Sequence, residues 1–436
     1  MSKQISEIRK SVSVWYGSYA ILGVVTAALV PVLLPLMIKA LSQNLTYVGW
    51  VMGIYNCGLL TSPLWGNWAD KKHIHRSIFF SGFIILLVGL VIMPFSKFLL
   101  EWLGIAFIIG TGTAAVATVA SLFVVEFNPQ SEWASRIGWL QSFNGFGQTI
   151  GLLLAAVFSN QGDFSTGLWT GAALLIPAIF IGHFGLPVKK AAGIERHHLH
   201  HLNYHEMAKF VRVEFLGGGV LRHSHHLNLS GIRSVAKLFN STFGYFIISW
   251  FISSLGIAAF FAYFPLAMKT AYNVAPGVTS LVYAVAGGIS MVLYSGSTKL
   301  SNRFGVAVVY RWGIMLRLVG FIVLLLLIFL HIPERSLIAS AAFAIIILAW
   351  PILSVTGTTL TADITPVSEG EAMGLFNSSG AIGTVIGTLL GGLLVQYLGY
   401  AAFSLMGVGG LIISLILAGF LPTQVTPGES KTKKES

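Results

Sequence analysis

The sequence predicts an all-α polytopic membrane protein, with twelve transmembrane helices in two pseudo-symmetric six-helix bundles. Three observations carry that prediction. First, the 436 residues are 55% hydrophobic and only 9% charged, with a mean hydropathy of +0.80. A soluble domain holds about 25% charged residues, so most of this chain faces something other than water. Second, apolar runs divided by short polar breaks give twelve stretches of about 20 residues, the length that crosses a bilayer as an α-helix. Third, two stretches 236 positions apart repeat one another. Gly138, Gln141, Ser142, Gly147, Gln148, Ile150, Gly151, Leu153 and Leu154 recur as Gly374, Asn377, Ser378, Gly383, Thr384, Ile386, Gly387, Leu389 and Leu390. Matched glycines report close backbone approach between helices rather than bulk hydrophobicity. A repeat at half the chain length implies two equivalent halves.

The first span begins near Val14. It lacks a signal-cleavage site and is too long for the apolar core of a signal peptide, so it reads as a retained helix. Tyr19 and Thr26 lie at i and i+7, ahead of Pro31 and Pro35, which are expected to bend it. The second span begins near Thr46 and carries Asn56, an amide that needs a partner inside a membrane. Spans three and four begin near Ser77 and Trp102. The fifth, from Ala134, sets Gln141, Asn144 and Gln148 at i, i+3 and i+7 on one helical face. Lipid offers these amides no hydrogen-bond partner, so they should face protein or water. The sixth begins near Ser165 and holds His183 late in its length.

A polar stretch then interrupts the hydropathy and contains eight of the twelve histidines. Spans seven to twelve begin near Thr242, Gly277, Val306, Ser336, Ala372 and Ala401. The seventh gathers Trp250, Ser253 and Ser254 ahead of Phe260, Phe261 and Tyr263. The ninth holds Arg317 about a third of the way from its start, and the tenth carries Trp350, Pro351, Thr356 and Thr359. The eleventh places Asn377, Gly380 and Thr384 where the fifth has its three amides. The expected organisation is an N-terminal bundle over 1–187, a His-rich linker loop over 188–240, a C-terminal bundle over 241–423 and a tail over 424–436.

The net charge of +11 does not point to nucleic acid. Of the 26 Lys and Arg, 21 fall on the side of the two chain ends, and four (Lys39, Lys97, Lys269 and Arg335) on the other. Arg317 lies within a span. The positive-inside rule then places both termini in the cytoplasm, with the chain multi-pass in an inner or plasma membrane. Cys57 is the only cysteine, which excludes an intrachain disulfide. Asn44-Leu45-Thr46 is a glycosylation sequon on the outer side. No nucleophile–base pair or metal-ligand set within the membrane stands out, and Gly217-Gly218-Gly219 lacks the Lys-Ser/Thr of a P-loop. Neither catalysis nor a cofactor is expected.

Gly66, Asp70 and Lys71 after the second span match the start of the signature Gly-x-x-x-Asp-Arg/Lys-x-Gly-Arg/Lys-Arg/Lys. With twelve spans and two halves, this resembles the major facilitator superfamily over essentially the whole chain. His73 replaces the second glycine, Ile74 and His75 replace the basic pair, and Arg76 falls one place late. The second half keeps a degenerate copy, Ser301-Asn302-Arg303-Phe304-Gly305. Glu126-Phe127-Asn128-Pro129 before the fifth span similarly resembles Asp363-Ile364-Thr365-Pro366 before the eleventh. The resemblance implies alternating access, with two bundles rocking around a midplane cavity lined by the first, fourth, seventh and tenth spans. It also implies a monomer.

For Asp70 the resemblance implies a position facing the start of the eleventh span near Gly374, where unpaired N–H groups favour negative charge. That contact would close the cytoplasmic side, with Gly66, Lys71, Arg136, Asn302 and Arg303 in the same network. An interfacial charge that only sets topology is the other reading. Gly147-Gln148-Thr149-Ile150-Gly151 resembles the Gly-Pro-x-x-Gly motif of drug/proton antiporters, with Gln148 in place of the proline. Gly110-Thr111-Gly112-Thr113-Ala114 resembles a fourth-span motif whose upstream arginine is linked to proton handling; here that position is Ala106.

The substrate-binding candidates are Tyr19, Thr26, Asn56, Gln141, Asn144, Gln148, Trp250, Ser253 and Asn377. Aromatics mixed with amides and hydroxyls, without a buried carboxylate, suit a neutral or amphipathic organic ligand. The same side chains also serve ordinary interhelical hydrogen bonding. None of the 15 Asp and Glu lies mid-span, where proton relays are found, which leaves His183, Glu126 and Asp363 as proton-coupling candidates. Arg317 has two readings, a counter-charge for an anionic substrate or snorkelling to the headgroups. His197, His201 and His205 would stack on one helical face. Neutral imidazole suits Zn, Cu or Ni, but no finger-like Cys/His pattern accompanies them, so a solvated linker helix competes with a metal-responsive one. The expected function is secondary transport of a small organic compound (a drug, metabolite or siderophore-like molecule) outward, with protons as the candidate coupling ion. Nutrient uptake or facilitated diffusion, and a non-transporting membrane sensor, are the alternatives.

Overall fold

The computed structural model describes residues 13–72, 74–128, 132–186, 241–330, 332–366 and 369–422. The linker with His197, His201 and His205 lies outside the described residues, as do His73, Pro129 and the tail. Every described regular element is helical. Ten helices are long and apolar enough to cross a membrane: Tyr16–Ser42, His75–Phe95, Leu99–Val124, Arg136–Gln161, Phe164–Gly185, Thr242–Tyr272, Val306–Phe329, Arg335–Asp363, Ala372–Leu398 and Ala401–Gly419. The second span is a pair of helices, Leu45–Leu59 and Ser62–Lys72. The eighth, Pro276–Phe304, bends by 41° between Pro276–Ser290 and Val292–Phe304. Together they make twelve spans, whose starts lie within three residues of the predicted ones.

Packing within the two halves follows one plan. In the first half, span one packs on five and six, four on two and three, and three on six. In the second, seven packs on eleven and twelve, ten on eight and nine, and nine on twelve. Each contact has its counterpart six spans later. The repeated glycines explain the tightest of them. A Cβ at Gly147 would lie 2.7 Å from the Ala20 carbonyl carbon, and one at Gly151 2.7 Å from the Ala28 Cβ. In the second half, a Cβ at Gly383 would lie 2.6 Å from the Phe251 oxygen, and one at Gly387 2.8 Å from the Leu255 carbonyl carbon. Only a residue without a side chain lets these backbones touch.

Helix ends repeat too. Gln43 and Asn273, at φ 56° and 58°, terminate spans one and seven in the left-handed conformation, and Gly162 and Gly399, at 74° and 62°, do so after spans five and eleven. Arg76, at the start of span three, donates to the last-turn carbonyl of His183 at 2.8 Å. Arg311, at the start of span nine, donates to Ala418 O at 2.8 Å. Each guanidinium thereby satisfies orphan carbonyls at a helix C-terminus and complements its dipole. Asn44 caps the second span by accepting from the Thr46 N–H at 2.9 Å, so the sequon tripeptide also works as an N-cap. Apolar side chains such as Val88, Phe180, Val319 and Ile416 remain exposed, as a lipid-facing surface requires.

Candidate functional site

The two bundles meet along two seams, span two against eleven and span five against eight, which are again counterparts. The face of the membrane on which the first span starts and the twelfth ends is called the terminal face here. On the opposite face the seams are tied by three hydrogen bonds. The Tyr263 hydroxyl donates to Leu45 O at 2.5 Å, the Thr46 hydroxyl to Gln396 Oε1 at 2.5 Å, and the Gly277 N–H to Asn160 Oδ1 at 3.0 Å. Between them a Cβ at Gly49 would lie 2.6 Å from Gly392 Cα, so backbone touches backbone. At mid-depth Gln148 of the fifth span approaches the Tyr283 hydroxyl of the eighth. Toward the terminal face, Tyr16–Val24 and Ser62–Lys72 pack chiefly on helices of their own half. A Cβ at Gly287, on the Tyr283 face one turn on, or at Gly138 of the fifth span would meet nothing within 4 Å. The ties between the bundles named here thus lie away from the chain ends.

Proline chemistry in the first span explains part of the amide stripe. This helix passes through a π-helical turn, Val25–Leu29. Pro31 has no N–H to offer the Ala27 carbonyl four residues back. Gln148 Nε2 reaches that carbonyl at 3.3 Å from the fifth span, supplying a donor that lipid could not. Asn144 Nδ2 donates to Tyr19 O at 3.4 Å, where Gly23 admits the fifth-span backbone. Gln141 approaches the buried Tyr19 hydroxyl. Thr26 bonds back to Leu22 O at 2.9 Å within its own helix. Four of the sequence-selected polar residues thus join spans one and five. Asn56 and Asn377 differ. Both are half-buried, and neither amide side chain forms a hydrogen bond among the described residues.

The second half answers with aromatic rings. Trp250, 7% exposed, stacks on Phe376 at 4.5 Å and lies 6.2 Å from Trp350. Gly380 makes the fit possible, since a Cβ there would lie 2.6 Å from Trp250 Nε1. Ser253, three residues on, is buried beside them. Behind Trp350 stands Arg317, its guanidinium 5.6 Å from the ring centroid. Arg317 is 1% exposed and occupies the middle of the 24-residue ninth span, deeper than a third of the way in. The helix end is about 16 Å away along the axis, beyond the reach of any side chain. Snorkelling is thereby excluded. The Arg317 Nε has no acceptor, and the ionisable groups that act on it are the hydroxyls of Tyr283 and Tyr310. A cation–π contact contributes about 2 kcal/mol when desolvated, against several kcal/mol for burying one ion.

The profile of the Major Facilitator Superfamily matches residues 16–369 and 247–436. The chain belongs to that superfamily. Among solved structures, a mutant of the nucleoside transporter NupG superposes with a TM-score of 0.71 at 12% identity, covering 93% of this chain and 98% of that one. A POT family transporter in complex with 5-aminolevulinic acid gives 0.67 at 16%, covering 94% and 95%. The xylose transporter XylE from E. coli gives 0.66 at 14%, covering 95% and 96%. At these identities the likeness is one of fold. Superfamily membership makes the chain a multi-pass membrane transporter rather than an enzyme.

The superfamily signature helix, Ser62–Lys72, packs on spans four and three. Gly66 is buried in it; the side chains of Asp70 and Lys71 lie outside the described residues. Asn302 and Arg303 are exposed, with Arg303 5.1 Å from the Phe304 ring. Arg136 pairs with Glu132 at 2.7 Å within its own helix, and Gly374 is half-buried. Of the proton-coupling candidates, Glu126 pairs with His75 at 3.3 Å, joining spans four and three. His183 is exposed, its ring against Phe80 and Phe184, and Asp363 is exposed at the end of the tenth span. The seam residues Asn160, Gln396 and Tyr283 escaped sequence reasoning. A signal was present on one side of the seam: Gly49-x-x-x-Gly53 is a small-residue pair of the kind that brings helices together, and both glycines face the eleventh span.

Proposed function

We propose that this protein exports a small organic compound by alternating access. Both termini are cytoplasmic and the described conformation is open to the cytoplasm. The carrying observation is the seam tied through Tyr263–Leu45, Thr46–Gln396 and Asn160–Gly277 on the face opposite the chain ends. Such a seam is one end-state of a rocking pair of bundles, and the signature network around Asp70 would form on the other face as it opens. The positive-inside count supports the orientation. Outward direction rests on the Gly147–Gly151 pattern of the fifth span. The site lies between the polar side chains of spans one, two and five and the aromatic set Trp250, Trp350 and Phe376, in a monomer of the inner or plasma membrane. Glu126, His183 and Asp363 remain the groups through which protons would couple. Facilitated uptake is the second reading, favoured by the lack of acidic residues mid-span.

Two measurements test the proposal. In everted vesicles, a compound panel should show ATP-independent accumulation inside the vesicle, which corresponds to export; accumulation in right-side-out vesicles alone would assign uptake. In proteoliposomes of a Cys57→Ser background, cross-linking of the Thr46→Cys/Gln396→Cys pair is expected to abolish flux, and reduction to restore it. Unchanged flux in the cross-linked protein would rule out opening at this seam.

A further inference from the structure

Arg317 carries a permanent charge at the midpoint of a membrane helix. It is 1% exposed, its Nε lacks an acceptor, and no acidic side chain pairs with it among the described residues. Tyr310, one of its two electrostatic neighbours, has a buried hydroxyl beside those of Ser249 and Ser414. The other, Tyr283, approaches Gln148 across the seam between the bundles. One face of the guanidinium is covered by the half-buried Trp350 ring, which continues into Trp250 and Phe376. A charge placed this way is uncompensated by the protein itself, and intramembrane charges of that kind mark ligand paths. The planar fork of an arginine matches an oxyanion, which it binds through paired N–H donors. The adjoining rings match a flat apolar body.

We propose that the transported compound is an organic anion, whose oxyanion group is held by Arg317 and the Tyr310 hydroxyl while its flat apolar part lies against Trp350, Trp250 and Phe376. This inference rests on the transporter reading and narrows its substrate class. Trp350 covers one face of the guanidinium in this conformation, so binding turns that ring aside.

The test uses nitroaromatic quenchers of tryptophan fluorescence on the purified full-length protein: 4-nitrobenzoate, 4-nitrophenyl phosphate and the neutral 4-nitrobenzamide. Saturable quenching by at least one anion is expected at a concentration ten-fold or more below that for the amide. Whichever anion is tighter identifies the oxyanion as carboxylate or phosphate. Arg317→Gln should bring the anion and the amide within about two-fold of each other, and Arg317→Lys should retain part of the preference. Equal binding of anions and amide by the unsubstituted protein, or no saturable binding of any probe, overturns the proposal. A second readout needs no ligand. Arg317→Met should raise the melting temperature by several degrees, because it removes an unpaired buried charge. A lowered melting temperature would make Arg317 a structural residue and overturn the proposal as well. Binding without flux in proteoliposomes would break the transporter reading and leave the anion site standing. Flux of neutral compounds, unaffected by Arg317→Gln, would do the reverse.

Discussion

Valine at Gly147 or at Gly387 is expected to lower stability by about 3 kcal/mol or more, with the two substitutions nearly equal. Overpacking a well-filled core costs about 1–3 kcal/mol when side chains can shift. Here the obstacle is backbone: the Ala20 carbonyl carbon at 2.7 Å from a Cβ at Gly147, and the Leu255 carbonyl carbon at 2.8 Å from one at Gly387. Neither helix can retreat without carrying its whole bundle contact with it. Equality matters as much as size, because each glycine sets its span against a backbone carbonyl of the first or the seventh span, the same kind of contact in the two halves. Thermal melts in detergent, followed through the thiol of half-buried Cys57, provide the measurement. Gly104 and Gly409, where a Cβ meets nothing within 4 Å, supply the controls. Alanine there should be neutral or stabilising by about 0.5–1 kcal/mol. A large loss at Gly104→Ala, or a small one at Gly387→Val, would contradict the packing described.

What could be read from the sequence follows from which interactions are local. Span starts and the repeat were legible because apolar runs and matched glycines act within one helix or between helices of the same type. Gln148 shows where that reasoning stops. The missing N–H of Pro31 is visible in the sequence, yet the donor that replaces it lies 117 residues away on another helix. Its amide therefore read as a cavity wall when it also completes the first span. Arg317 was ambiguous because hydropathy gives depth only to within a turn or two, and snorkelling depends on depth. Thr46 and Gln396 sit near helix ends, where polar residues are ordinary, so nothing singled out the bond between them. Which face is open could not be read at all. It is a property of one conformation, and the same residues must satisfy both.

Valine at Gly49 is expected to reduce transport more than ten-fold while leaving the protein folded. The groups that a Cβ there would strike are the Tyr263 hydroxyl, Gly392 Cα and the Thr388 oxygen, all in the other bundle. Strain at Gly147 has no release short of unpacking a bundle, but strain at Gly49 is relieved when the bundles part on this face. The substitution therefore acts on a conformational equilibrium. A penalty of about 3 kcal/mol on the closed state shifts the balance by roughly 100-fold, enough to remove most of a cycle that must pass through closure. In a Cys57→Ser background, an Asn160→Cys reporter should then react faster with an impermeant maleimide added from the face opposite the chain ends. Gly53 provides the comparison. The nearest atoms to a Cβ there belong to the Leu389 side chain, at 2.5 Å and beyond, which can change rotamer, so Gly53→Val should slow transport far less. Full flux in the Gly49→Val protein, or an unchanged rate of labelling at position 160, would show that this seam does not open during the cycle.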